Sequence, residues 1–101
     1  MSDYGEHLAQ HRRITLLRLL EGGGGSANES ILQDALEQCG LGAMLTRAVT
    51  RELLKWLEDR NLIRIEWFGQ TLAVAHITER GVNVAKGKET VEGVKRPSVG
   101  G

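Results

Sequence analysis

Arg47, Arg51 and Lys55 stand four residues apart in the stretch Leu45–Ile63, LTRAVTRELLKWLEDRNLI. On a helix that spacing places the three cations on one face. Val49, Leu53, Leu54, Trp56 and Leu57 form a broad apolar band behind them. A rod anchored by its back and cationic on its front suits the edges and phosphates of duplex DNA. Arg can bridge guanine O6 and N7, and Thr50 can reach a phosphate or a thymine methyl. Thr46 is the expected N-cap, where a hydroxyl and free backbone N–H groups favour phosphate. Ordinary surface chemistry accounts for the same face, with Glu52, Glu58 and Asp59 at hand as charge partners.

Other reactive side chains are scattered. His7 and His11 lie one helical turn apart, but two imidazoles do not make a metal site, and His76 and Cys39 are distant in sequence. The expectation is surface histidines and no metal. Cys39, the single cysteine, falls at apolar helical spacing and reads as a small buried hydrophobe in a reducing compartment. The run Gly22–Gly25 is followed by no Lys-Ser or Lys-Thr, so it is a loop and not a phosphate cradle. Between Gly81 and Gly87 lie five residues where a phosphate loop has four, and Glu89 follows Lys88. With no G-x-S-x-G and no H-E-x-x-H, the chain reads as a non-enzyme without a cofactor or a small-molecule ligand.

The 101 residues suffice for one domain. Thirteen Lys and Arg balance thirteen Asp and Glu, so any nucleic-acid contact must come from a local basic face. The opening MSDYGEHLAQHRR has no apolar core, and no apolar run is long enough to span a bilayer. The expectation is a cytoplasmic protein without membrane contact.

A first helix is expected from about Asp3 to Glu21, with Leu8, Ile14, Leu17 and Leu20 inward and Arg12, Arg13 and Arg18 outward. Ser26 and Glu29 form a capping-box pattern for a second helix, whose stripe is Ile31, Leu32, Ala35, Leu36 and Cys39. After the third helix, Leu62–Phe68 alternates, Gly69-Gln70 turns, and Thr71–Ile77 returns as a second strand. Asn61 is the expected helix stop. Thr78 caps a short fourth helix reaching about Lys86, with Val82 and Ala85 inward. Residues 1–87 are thus expected to form the domain and 88–101 a loosely ordered tail.

This order gives an α+β fold, a winged helix-turn-helix with a three-helix core, a two-stranded β-hairpin wing and a short C-terminal helix. Leu53–Ile63, ending Glu58-Asp59-Arg60-Asn61-Leu62-Ile63, resembles the L-x-x-L-x-x-x-G-L-I junction of ArsR- and MarR-type regulators, with Asn61 in place of glycine. Ile77-Thr78-Glu79-Arg80-Gly81 resembles their L-T-E-x-G after the wing. Metal sensing occurs in the ArsR-like group, but the cysteine pair that marks it is absent here. Nearly the whole chain resembles small winged-helix proteins of Mu-like prophages, through Ser2-Asp3-Tyr4-Gly5, His11-Arg12-Arg13 and Gly93-Val94-Lys95-Arg96-Pro97.

The resemblance implies a DNA-binding protein, a phage or prophage transcriptional regulator whose third helix enters the major groove. Its expected contact set is Thr46, Arg47, Thr50, Arg51, Lys55 and, on the first wing strand, Arg64. Tight specific binding by so small a domain would need a homodimer on paired half-sites. The wing tip, Phe68-Gly69-Gln70-Thr71, carries no cation. Lys86, Lys88, Lys95 and Arg96 can add nonspecific phosphate contacts or simply solubilise a tail that also holds Glu89 and Glu92. The alternative is the same fold as a protein-interaction module without DNA, which the zero net charge and the uncharged wing tip favour.

Overall fold

Leu16, Leu17 and Leu20 bury the inner face of a long first helix, α1 (Asp3–Gly22), in the computed structural model, which describes residues 3–97. The chain continues through β1 (Ser26–Asn28), α2 (Glu29–Gln38), α3 (Arg47–Asp59), β2 (Ile63–Phe68), β3 (Leu72–Ile77) and α4 (Glu79–Ala85). The result is an α+β fold of four helices and one antiparallel sheet with strand order β1-β3-β2. Leu32, Leu36, Leu53, Leu54, Leu57, Leu62, Ile63 and Ala75 join the α1 leucines in one core.

Three helix ends follow their local chemistry. Thr46 accepts from the Val49 N–H at 3.1 Å and Thr78 from the Gly81 N–H at 3.0 Å, each starting its helix as expected. Asn61 takes φ 64°, the left-handed turn that its short amide tolerates, and the Leu62 N–H bonds back to the Leu57 carbonyl at 3.0 Å. The chain thereby passes from α3 straight into β2.

The second helix departs from its expected start. Ser26 is not its cap but a strand residue opposite His76, and Asn28 accepts from the Ile31 N–H at 2.8 Å. Pairing with β3 claims residues 26–28, so the capping side chain moves two residues on and the hairpin gains a third strand. A three-residue strand has no alternation to read. The buried stripe of α2 also differs from the expected one: Glu29 is buried with Leu32 and Leu36, while Ile31 and Cys39 are exposed.

Arg12 and Arg13, expected to face outward, are buried. Arg12 donates to the carbonyls of Leu41 and Ala43 and ties α1 to the turn before α3. Arg13 donates to the Gly93 carbonyl at 2.8 Å and lies 3.9 Å above the Trp56 ring, which Arg60 also approaches at 3.6 Å. Gly93 (φ 96°) closes against Trp56, Val94 enters the core, and the Lys95 N–H meets the Gln10 carbonyl at 3.3 Å. Residues 88–97, composed like a tail, therefore run back over the body, while 98–101 lie outside the described residues.

Gly81, in α4, marks the tightest approach. A Cβ there would stand 2.1 Å from the Leu62 carbonyl oxygen and 2.7 Å from Ile77 Cγ1. The first obstacle is backbone and cannot rotate aside. Gly81→Ala should lower stability by roughly 1–3 kcal/mol or prevent folding. Urea titration should show a lower midpoint at unchanged slope.

Candidate interaction face on the third helix

Glu29 is 0% exposed, and its carboxylate gathers α2, α3 and β3. Arg51 grips it with both ends of its fork, Nε to Oε1 at 2.6 Å and Nη2 to Oε2 at 2.9 Å. The Ala73 N–H donates to Oε2 at 3.3 Å, and Arg47 Nη1 stands 3.8 Å away. The Arg51 bonds hold the carboxyl below its ordinary value of 4.5 against the opposing effect of burial, aided by the Ala73 N–H and the charges of Arg51 and Arg47. Arg51 also donates to the Thr71 carbonyl at 3.1 Å and lies 5.1 Å from the Trp67 ring, fastening α3 to the hairpin tip.

The remaining cations of α3 are likewise engaged. Arg47 donates Nε to Gln33 Oε1 at 2.7 Å. Lys55 lies 3.3 Å from Asp59 and 3.6 Å from Glu58, and its ammonium is stabilised above its ordinary range chiefly by the bond to Asp59. Glu58 in turn accepts from the Ile65 N–H at 3.0 Å on the edge of β2.

Of the six expected contact residues, the fold brings Thr46, Arg47, Arg51 and Lys55 onto α3 and its cap. Thr50 belongs to the interior: it is fully buried, and its hydroxyl donates to the Thr46 carbonyl at 2.9 Å. Its spacing from Leu53, Leu54 and Leu57 places it on the apolar side of the helix. Arg64 is exposed on β2, opposite His76 in the ladder, so its side chain lies on the outer face of the sheet.

Two arrangements go beyond the sequence pattern. Glu29 fits a capping box by spacing from Ser26, yet Glu29, Leu32 and Leu36 share the i, i+3, i+7 spacing of one buried face. Across the sheet, Ser26 Oγ meets His76 Nδ1 at 2.6 Å and His76 Nε2 meets Glu66 at 2.8 Å, a contact that needs the three-stranded register. Trp67 and Phe68 are 49% and 51% exposed. Trp67 walls a groove of about 330 Å³ that Leu54, Ile65 and Ala73 floor and Arg51, Lys55 and Glu58 rim. Among the described residues, no group of three or more metal-ligating side chains comes together.

These features define a small α+β protein in which, among the described residues, no helix is long and apolar enough to cross a membrane. The chain belongs to the family of the phage Mu protein gp26. It is 40% identical to "Uncharacterized protein gp26" of Escherichia phage Mu over 90 residues, 89% of this chain and 91% of that protein. It is 38% identical to an "Uncharacterized protein" of Haemophilus influenzae over 77 residues, 76% of this chain and 74% of that one. No family model and no solved structure matches it.

Because Glu29 titrates below its ordinary value when folded, its contribution to stability is fully present above that ordinary value and is lost as pH falls through the folded one. The wild-type urea midpoint should therefore drop on acidification below the ordinary value. Glu29→Gln should be less stable at neutral pH and show a flatter acid limb, because the titrating group is gone while Arg51 loses its counter-charge.

Proposed function

We propose that the chain is a winged-helix interaction module of a Mu-like phage, which docks a protein through the face shared by α3 and the β2–β3 hairpin. The element order and the strand order β1-β3-β2 support the winged-helix reading. The observation that carries the functional reading is the state of the α3 cations. Arg47, Arg51 and Lys55 each have a carboxylate within 4.0 Å, so the front of the helix is not a bare positive stripe. Releasing Arg51 to DNA would leave a buried carboxylate without its main counter-charge, a costly state. Beside these paired charges stand a half-exposed Trp and Phe and an apolar groove, the composition of a protein-docking centre. The partner that fits is a protein segment carrying an aliphatic or aromatic anchor for the apolar surface of Ile65 and Trp67 in this groove.

A second reading, the sequence-specific DNA-binding regulator acting as a homodimer, keeps one specific support. Arg47 and Arg51 share the single carboxylate of Glu29, and the Arg47 side chain is 45% exposed beside the cap of Thr46. There Thr46, Arg47 and Arg51 would meet double-stranded DNA, with Arg64 on the hairpin.

The two readings separate in one pair of measurements. Direct binding should be screened against the phage's own purified proteins. Trp67→Ala should then weaken the complex about tenfold or more, as loss of an aromatic anchor does, and Arg47→Ala should leave it nearly unchanged. Amide shifts mapped with duplex DNA at low salt should leave residues 46–51 unmoved. Shifts concentrated there, with Trp67→Ala neutral in every pairing, would install the second reading.

A further inference from the structure

Among the described residues, one group of cations without carboxylate partners lies together away from α3. Two clefts adjoin along the outer side of α1 where residues 95–97 run back over it. Tyr4, His7, Leu8, His11, Gly40, Leu41 and Lys95 line one of about 350 Å³. The other, of about 70 Å³, takes His11 and Lys95 again with Arg18 and Arg96. No carboxylate lines either cleft, in a chain with thirteen acids. Among the described residues, none of His7, His11, Arg18, Lys95 and Arg96 has a carboxylate within 4.0 Å.

Asp3 and Glu6 share a neighbouring cleft with His7 at the start of α1, and Glu6 accepts from Gln10 at 3.0 Å and from Arg13 at 3.2 Å. Glu21 faces Lys86 at 4.0 Å. The basic segment is held in place by its backbone. The Lys95 N–H donates to the Gln10 carbonyl, the Gly93 carbonyl accepts from Arg13, and Val94 is anchored in the core. Its cations are thus presented at fixed positions beside the helix, and less ordering is needed on binding than for a free tail.

His7, His11 and Arg18 share one helix face, and His7 to Arg18 spans roughly 16 Å at 1.5 Å per residue. A line of that length suits a string of charges more than a single ion. Duplex DNA offers one phosphate per strand about every 3.4 Å of axis. Imidazole and phenol donors complete a phosphate-binding set beside the three full cations.

We propose that this seam between α1 and residues 95–96 is the nucleic-acid face of the protein. Arg18, Lys95 and Arg96, assisted by His7 and His11, grip successive phosphates of a duplex DNA backbone without reading bases. The α3–hairpin face is left free for its protein partner, and the two surfaces are assigned to different ligands.

Fluorescence anisotropy of a labelled duplex across a salt series tests this on the full chain. Binding should appear at low salt and weaken with a log–log slope of roughly −3 for three neutralised phosphates. Lys95→Glu with Arg96→Glu should cut low-salt affinity about tenfold or more and flatten the slope by about 2, and Arg18→Glu alone should flatten it by about 1. Arg47→Ala should match wild type, and inorganic phosphate at matched ionic strength should not compete. If circular dichroism finds the double variant unfolded, Arg18→Glu decides alone. The proposal is overturned by absence of binding at low salt, by a slope that the seam variants leave unchanged, by equal loss in Arg47→Ala, or by full competition from the free ion.

Discussion

The buried carboxylate of Glu29 is the constraint around which the body of this protein is arranged. An ionised group removed from water is tolerated only when its lone pairs are occupied by strong donors. Here the donors come from two elements: the fork of Arg51 and, more distantly, Arg47 on α3, and the Ala73 N–H on β3. Together they fix α3 and β3 relative to the start of α2. The angle of α3 to the hairpin is set by the same contacts, because Arg51 continues from Glu29 to the Thr71 carbonyl and the Trp67 ring. A polar junction of this kind is sensitive to the loss of any member, since a partly satisfied network is worse than an apolar one.

That junction changes the meaning of the helix most prominent in the sequence. Spacing shows which side chains share a face but not which of them are already engaged. The i, i+4 series Arg47, Arg51, Lys55 was legible, as were the helix that carries it, its Thr46 cap, the Asn61 stop, the hairpin and the Thr78 cap. All of these are encoded within a few residues of where they act. Glu29 was not legible as the partner of Arg51, because 22 positions separate them and only the packing of α2 on α3 brings them together. The same holds for β1, three residues whose strand character comes wholly from β3. It holds also for Arg12 and Arg13, whose burial depends on carbonyls 29 to 80 positions away.

Zero net charge concealed an uneven distribution. Around α3 the positive groups meet Glu29, Glu58 and Asp59, and what stays available there is apolar. Along the outer side of α1, among the described residues, Arg18, Lys95 and Arg96 have no carboxylate within 4.0 Å. Short-range pairing cancels the field of the first face, while the field of the second extends over a Debye length of about 8 Å at physiological salt. Two faces of one small domain thus present different chemistry to their surroundings, a difference that composition averages away.

The fastening of Gly93 and Val94 onto Arg13 and Trp56 bears on how the chain reaches its final state. The Arg13–Gly93 bond closes a separation of 80 positions, among the costliest closures in loop entropy that this chain makes. Contacts so distant in sequence form late, after the local helices and the hairpin. During synthesis α1 leaves the ribosome long before its clasp, and the Cζ2–Cη2 edge of Trp56 lacks its cover until Gly93 arrives. A nascent or shortened product that stops before Gly93 would bear an open indole edge, a core without Val94 and an unclasped first helix, the kind of surface that chaperones and proteases recognise.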